Sequence, residues 1–154
     1  MTKHLAQLNI GRLKGGKDDP RMADFYASLD RVNAVAERMP GFVWRLKAEG
    51  ENTAMTAPGD EMQAFNLTVW DGIEALEKFV WQTVHANVYA RKHEWLEAPK
   101  APTFVMWWIE AGHIPTAEEA QARLDHLTAQ GPSEHAFGWE SVAAAKLWRE
   151  KRCA

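Results

Sequence analysis

The sequence predicts an α+β fold, a ferredoxin-like split βαβ arrangement around a four-stranded antiparallel sheet. Segments that alternate apolar and polar residues are interleaved with segments of helical spacing, in the order β-α-β-β-α-β. Turn-forming residues separate most of these segments. The fourth strand segment, TFVMWWIEA, is apolar on both faces, which is typical of a strand covered on both sides. A length of 154 residues suits one domain with a sizeable core.

The first strand and the first helix are predicted over residues 4–13 and 21–38. The strand segment alternates, with its apolar side chains on one face. Asp19 is a suitable N-cap and Pro20 suits the first helical turn, after the loop KGGKDDP. Apolar residues then recur at spacings of three and four, and the sequence MPG ends the helix.

The second and third strands are predicted over residues 42–48 and 63–70, with a polar loop containing glycine and proline between them. Asp71 is the expected N-cap of the next helix, which covers residues 73–97. We expect that helix to be kinked near residues 82–84. The pattern thus completes the second strand–helix pair of the fold.

The C-terminal part begins with the fourth strand, residues 103–111. Thr116 and Glu119 have the spacing of a capping box and predict a further helix. A short last strand over residues 135–139 and a helix over residues 141–152 follow. These are extra helices beyond the ferredoxin-like unit.

We therefore expect a barrel domain over residues 1–139 and a helical extension over residues 140–154. In the ferredoxin-like arrangement the helices cover one face of the sheet. The other face would be a large apolar patch, because the fourth strand is apolar on both sides. A second copy is the simplest cover, so we expect a homodimer.

Composition narrows the classes of partner. The formal net charge is -3 and the pI about 6.1, which gives no electrostatic footprint for nucleic acid or an anionic membrane. Cys153 is the single cysteine, so neither an intramolecular disulfide nor a cysteine-based zinc site is possible. No apolar run approaches the roughly 20 residues of a membrane helix, and the N-terminal segment lacks an apolar signal core. We expect a cytoplasmic protein.

The helix segment WDGIEALEKFVWQTVHANVYARKHEWL contains the most informative side chains. At about 100° per residue, His85 and Tyr89 fall one turn apart on the flank of an apolar stripe that includes Trp81. Both can point into the space between helix and sheet. His85 is either a buried histidine bonded to a backbone carbonyl, or a ligand contact acting as acid, base or metal ligand.

Polar side chains on three strands form a second candidate feature. Gln7 and Asn9 lie on the first strand, Arg45 on the second, and Asn66 and Thr68 on the third. The first and third strands are neighbours in ferredoxin-like order, so the amides and the hydroxyl would lie side by side. Buried polar groups must be hydrogen-bonded. They would line either a polar pocket for a small molecule or a polar dimer seam.

The chain resembles a bacterial family of unknown function that belongs with the dimeric α+β-barrel proteins, among them the antibiotic-biosynthesis monooxygenases. The segments that carry the resemblance, within residues 4–139, are HLAQLNIGRL, PGFVWRL, NLTVWDGIEALEKFVWQTVHANVYARKHEW, WWIEAGHIPTAEEAQARLDHLTAQGP and AFGW. The resemblance implies a dimeric barrel. The wider superfamily includes cofactor-free oxygenases acting on phenolic substrates, haem-degrading oxygenases, haem enzymes and stress proteins, so several functions stay open.

The first hypothesis is an oxygenase-type enzyme that acts on a small aromatic or polycyclic substrate, with no cofactor specified. His85 would be the acid or base, while Asn9, Asn66 and Arg45 would hold an oxyanion. Further contacts to the ligand are predicted from Trp44, Trp81, Tyr89, Trp107 and His113.

Two further hypotheses remain. One is a haem protein whose axial ligand is His85, with Tyr89 as the less favoured alternative. Haem-degrading relatives use an asparagine on the first strand and a tryptophan and a histidine on the second long helix. Asn9, Trp81 and His85 match these by type but not by register, because an alignment on the third strand puts Phe79 and Tyr89 at the helix positions. The last hypothesis is a non-catalytic binding or stress module whose tryptophans form core and dimer interface.

Overall fold

A computed structural model describes residues 2–47, 56–57 and 59–153 of the chain. Short 3₁₀ turns precede α1 and α6, at Pro20–Met22 and Trp139–Ser141. The strands and helices are β1 (Lys3–Arg12), α1 (Ala23–Arg38), β2 (Phe42–Arg45), β3 (Thr56–Ala57), β4 (Asp60–Trp70), α2 (Ile73–Gln82), α3 (Val84–Ala90), α4 (Lys92–Trp95), β5 (Phe104–Glu110), α5 (Ala117–Gln130) and α6 (Val142–Cys153). The predicted α+β class is confirmed. Most of the predicted loop between the second and third strands lies outside the described residues.

The strands form one antiparallel sheet in the order β2-β4-β1-β5, with the two-residue β3 pairing to β4. This is the predicted ferredoxin-like order, in which the first long strand lies between the third and fourth predicted strands. The register places Gln7 opposite Thr68 and Asn9 opposite Asn66. The predicted alignment of polar side chains across β1 and β4 is therefore confirmed.

The two faces of the sheet carry separate apolar clusters. The face we call the α2 face packs Leu5, Trp70 and Trp108 against α1, α2 and α6. The opposite face, the α5 face, packs Leu8 and Trp107 against α5. The other α5-face residues of this cluster include Ala6, Phe65, Leu67, Val69, Val105, Ile109, Ala120, Leu124 and Leu127.

Helix α5 covers the sheet face whose expected exposure was the reason for predicting a second copy of the chain. The α5 face was expected to lack cover, yet Leu8 and Trp107 are 0% exposed within the single chain. Leu124 and Leu127 from α5 belong to the same cluster. The apolar face is therefore buried without a partner, and the homodimer stays a prediction that no longer depends on a bare sheet.

The long helix predicted over residues 73–97 is interrupted twice. Thr83 separates α2 from α3, with an extended backbone at φ -125 and ψ -172, so the expected kink is confirmed. A second break at Arg91 was not predicted. The expected cap at Asp71 is wrong: Gly72 occupies the N-cap position of α2 and makes no side-chain hydrogen bond.

The C-terminal elements pack onto the sheet. Thr116 caps α5 as predicted, accepting a hydrogen bond from the Glu119 amide at 3.1 Å. The predicted short strand is reduced to a bridge between Phe137 and Met106 of β5. Ala145 of α6 is buried, and its carbonyl accepts the Trp108 indole N–H at 2.9 Å. Helix α6 thus contributes to the core of the α2 face, and a domain boundary at residue 139 stays a prediction.

Candidate active site

A hydrogen-bonded polar network crosses β1 and β4 on the α2 face. The Gln7 amide donates to Asn66 Oδ1 at 2.9 Å and to Thr68 Oγ1 at 2.6 Å, and the Trp70 indole also donates to Thr68 Oγ1, at 2.8 Å. Gln7 and Thr68 are buried, so these bonds satisfy groups that would otherwise be costly to bury. Asn66 is exposed and Asn9 half-buried, so the network opens toward solvent at this pair.

One ring nitrogen of His85, at the start of α3, contacts a backbone carbonyl, and the other makes no hydrogen bond within the described chain. Its Nδ1 lies 3.2 Å from the Val80 carbonyl oxygen. A carbonyl only accepts, so Nδ1 carries the hydrogen, and in the neutral ring the lone pair is on Nε2. Within the described part of the chain no group hydrogen-bonds Nε2. Burial lowers the pKa of His85 below its usual 6.5, against a smaller opposing effect of the Val80 hydrogen bond. His85 is therefore neutral at pH 7.

A series of aromatic rings leads from His85 to the outer edge of the sheet. The His85 ring stacks on Tyr89 at a centroid distance of 6.2 Å, and Tyr89 meets Trp81 edge-on at 5.3 Å. Trp81 in turn lies 5.8 Å from Trp139, which stacks on Phe104 at 5.3 Å. Trp81 and Tyr89 remain 46% and 37% exposed, so this series is open to solvent along part of its length.

A second aromatic series leads from His85 into the core. The His85 ring lies 5.0 Å from Phe79, and Phe79 stacks on Trp70 at 5.3 Å. Trp70 belongs to the polar network through Thr68. This series is the buried counterpart of the exposed one.

Both aromatic series end on strands next to the polar network, at Trp70 of β4 and at Phe104 of β5. Phe104 stands opposite Asn9 across β1 and β5, and Asn9 stands opposite Asn66. Ring contacts, hydrogen bonds and strand pairing therefore link the two series, His85 and the amide network in one circuit on the α2 face. We call this circuit the ring site; its members are Gln7, Asn9, Asn66, Thr68, Trp70, Phe79, Trp81, His85, Tyr89, Phe104 and Trp139.

Arg45 lies on the same face but its charge is already paired. It stands opposite Thr68 in the register and is 6% exposed. Its Nε donates to Glu37 Oε1 of α1 at 2.9 Å, and this bond lowers the pKa of Glu37. The predicted oxyanion contact from Arg45 is thus replaced in this structure by a carboxylate of the protein itself.

Three predicted ligand contacts lie on the opposite, α5 face. Trp44 is opposite Val69, since a register shift between residues 42 and 44 reverses the alternation of β2. The Trp107 indole donates to Glu119 Oε2 at 3.0 Å, and His113 Nε2 lies 2.6 Å from Glu119 Oε1. The structure therefore does not bring Trp44, Trp107 or His113 together with His85.

An open groove of about 540 Å³ runs along β2, lined by Glu37 and residues 42–47. It includes Arg45 and Trp44 but no residue of α2 or α3. We place the candidate site at the ring site rather than in this groove, because the Arg45 guanidinium there is already paired with Glu37.

Several members of the ring site were missed by sequence reasoning. Phe104 could have been found, because it lies on the fourth predicted strand, which neighbours the first strand and its Asn9 in ferredoxin-like order. Phe79 has no signal of helical spacing, because it lies six residues before His85 and reaches its ring only across the break at Thr83. Trp139 has no such signal, since its position depends on how the segment after α5 packs against β5.

The charged side chains and the helices of the described chain bear on metal binding and membrane insertion. Among residues 2–47, 56–57 and 59–153, no group of three or more His, Cys, Asp or Glu side chains is placed to hold a metal ion. In the same part of the chain, no helix has the length and apolarity needed to cross a membrane.

Solved structures share the fold at low sequence identity. A protein of unknown function from Nitrosomonas europaea is 15% identical over 75% of this chain and 97% of its own, with a TM-score of 0.51. A protein from Pseudomonas aeruginosa is 14% identical over 73% and 98%, with a TM-score of 0.50. SnoaB, a cofactor-independent oxygenase from Streptomyces nogalater, is 15% identical over 73% and 97%, with a TM-score of 0.49. The first two likenesses show the fold alone.

No curated protein matches the sequence. One family model does, over residues 4–153, and it therefore extends past residue 139, where the resemblance read from the sequence ends. The chain belongs to the family described as Domain of unknown function (DUF3291).

Proposed function

We propose that this protein is an oxygenase-type enzyme that binds a small aromatic or polycyclic molecule at the ring site. His85 removes a proton from the bound molecule, and the resulting anion reacts with O₂. The observation that carries the proposal is the state of His85, which is neutral and held at Nδ1 with an open lone pair on Nε2. A general base needs this combination of protonation state and access.

The amides of the ring site supply the second part of the chemistry. Asn66 Oδ1 accepts from Gln7, so the Asn66 NH₂ group is directed away from Gln7. Its N–H groups are donors suited to an oxygen that gains negative charge when a phenol or enol loses its proton. Asn9, its neighbour across the strands, adds a second amide. Trp81, which is 46% exposed, suits stacking against an aromatic ring, whereas the Tyr89 ring already contacts His85 and Lys92 Nζ.

Anthrone provides a balanced model reaction. A methylene proton passes to His85 Nε2, and the anion's oxygen is held by the amides. The carbanion carbon then bonds to O₂, and the hydroperoxide that forms on reprotonation loses water to give anthraquinone. One O₂ is consumed; one of its atoms enters the product and the other leaves as water. The oxygenase step follows the resemblance to the antibiotic-biosynthesis monooxygenases, and the proton transfer follows the geometry.

The test is anthrone-dependent O₂ uptake, with anthraquinone formation followed by absorbance and the enzyme-free rate subtracted. His85→Asn is the matched variant, because an asparagine amide can still donate to the Val80 carbonyl but has no equivalent of Nε2. We expect kcat/KM to fall on the order of 10²–10⁴-fold, the usual contribution of a general base. An unchanged rate in His85→Asn would remove His85 from the chemistry, and no turnover by the unaltered protein would remove the proposed reaction on this probe.

Haem binding is a second candidate, favoured by the same nitrogen. An axial histidine typically donates its other N–H to a backbone carbonyl, as His85 does to Val80. His85 would hold the iron, and haem would supply redox chemistry when bound. Hemin titration should give a saturable Soret shift that His85→Asn abolishes; a linear, unsaturable absorbance would eliminate this candidate.

A further inference from the structure

The break between α2 and α3 lies two residues before His85. Thr83 is extended, and the helix resumes at Val84. In an uninterrupted helix the Val84 amide would donate to the Val80 carbonyl, four residues earlier. Within the described chain no backbone hydrogen bond joins these two groups. The break therefore leaves the Val80 carbonyl open for another donor.

The His85 imidazole is that donor. Its Nδ1 reaches the Val80 carbonyl oxygen at 3.2 Å, five residues back along the chain. An unpaired carbonyl in a largely buried position is unfavourable, so the side chain replaces the missing helical bond. The imidazole is thereby held in the tautomer with its hydrogen on Nδ1.

The Thr83 side chain holds both ends of the break. Its hydroxyl donates to the Phe79 carbonyl at 2.5 Å, closing the last turn of α2. The same oxygen accepts the His85 backbone amide at 3.2 Å, as the N-cap of α3. The Phe79 ring packs against the His85 ring at 5.0 Å. One hydroxyl thus organises the turn from which the imidazole projects.

We propose that Thr83 is a positioning residue for His85: by interrupting the helix it releases the Val80 carbonyl, which fixes the imidazole hydrogen on Nδ1 and leaves Nε2 open. The chemical use of Nε2 rests on the proposed function, but the positioning itself does not. Thr83 touches no substrate in this scheme. Its effect passes through the ring orientation and tautomer of His85.

The direct test is the tautomer of His85, read from its ring ¹⁵N shifts by NMR in Thr83→Ala, Thr83→Val and Thr83→Ser. In the unaltered protein and in Thr83→Ser, which keeps the hydroxyl, we expect Nδ1 protonated and Nε2 bare. Alanine favours a continuous helix, in which the Val84 amide takes the Val80 carbonyl. In Thr83→Ala the Nε2–H form, which predominates for the histidine side chain in water, should become the major tautomer.

Thr83→Val separates the hydroxyl from the shape of the side chain. Valine is β-branched and nearly isosteric with threonine, but it cannot make either hydrogen bond of the Thr83 hydroxyl. Thr83→Val should therefore behave like Thr83→Ala. The ¹H–¹⁵N spectrum of the remaining backbone reports whether each variant is folded. The proposal is overturned if folded Thr83→Ala and Thr83→Val keep the original tautomer, or if the unaltered protein itself carries its hydrogen on Nε2.

Turnover then distinguishes the two proposals. With anthrone, Thr83→Ala should lose at least about tenfold in kcat, as expected for a misplaced group, while Thr83→Ser stays close to the original. Loss of activity in His85→Asn with an unchanged tautomer in Thr83→Ala would remove only the positioning role. A tautomer shift in Thr83→Ala with full activity in His85→Asn would remove only the proposed function.

Discussion

At the scale of single residues, His85 and His113 differ in which ring nitrogen makes a hydrogen bond. His113 uses Nε2 to bind the Glu119 carboxylate near the surface. His85 uses Nδ1 to bind a backbone carbonyl and keeps Nε2 open. Burial favours the neutral ring of His85. Only the neutral ring has the lone pair that a base or a metal ligand needs.

The depressed pKa of His85 predicts how stability depends on pH. The unfolded chain takes up a proton at His85 near pH 6.5, while the folded chain resists it because the site is largely buried. The unfolded state therefore binds more protons as the pH falls through about 6.5 and below, and the free energy of unfolding decreases. Above that value both states are neutral at His85 and the effect is absent.

Urea unfolding between about pH 8 and pH 5 measures this effect. His85→Asn does not titrate there and keeps a donor for the Val80 carbonyl, so it is the control. The unaltered protein should lose more stability than His85→Asn on acidification, since the other histidines are common to both. Parallel curves would mean that His85 titrates alike in the folded and unfolded states.

At the scale of elements, helical periodicity placed His85 and Tyr89 together correctly, because a single helical turn separates them. The pairing of β1 with β4 was also predictable, since ferredoxin-like order makes these strands neighbours; the register that sets Gln7 opposite Thr68 comes from the structure. The face of Trp107 was not predictable. Its strand is apolar on both sides, so alternation alone does not say which side carries α2. Trp44 was misplaced for a different reason: adjacent residues of a strand point to opposite faces, so Trp44 could not share a site with Arg45.

Helix α5 carries the prediction at this scale. Leu124 is 3% exposed and packs into the cluster of the α5 face, whereas Leu147 of α6 is 60% exposed. Truncating a buried leucine leaves a cavity and costs about 2–5 kcal/mol, while an exposed one costs about 0.5 kcal/mol or less. Leu124→Ala should therefore lower the free energy of unfolding in urea by that larger amount, and Leu147→Ala should not. Equal losses would mean that α5 does not cover this face as described.

At the scale of the whole molecule, the two faces of one sheet serve different purposes. The α5 face is an apolar cluster closed by the chain's own helix. The α2 face places hydrogen-bonded amides between two apolar clusters, the one beneath α2 and a smaller one that includes Leu13 and Trp95. Polar side chains in the middle of a sheet face reduce the apolar area available for packing. The α2 face therefore replaces apolar packing area with a hydrogen-bonded polar network.

The assembly state is the last prediction, and it connects both faces. The family resemblance implies a homodimer, so sedimentation equilibrium should give twice the chain mass of 17.4 kDa. Because the α5 face is already buried within one chain, the dimer contact should lie elsewhere. Leu124→Ala should then lower the melting temperature without changing the mass of the assembly. A mass of 17.4 kDa for the unaltered protein would remove the homodimer. A dimer that dissociates in Leu124→Ala would instead assign the interface to the α5 face, and the cover of that face would have to be shared between α5 and the second copy.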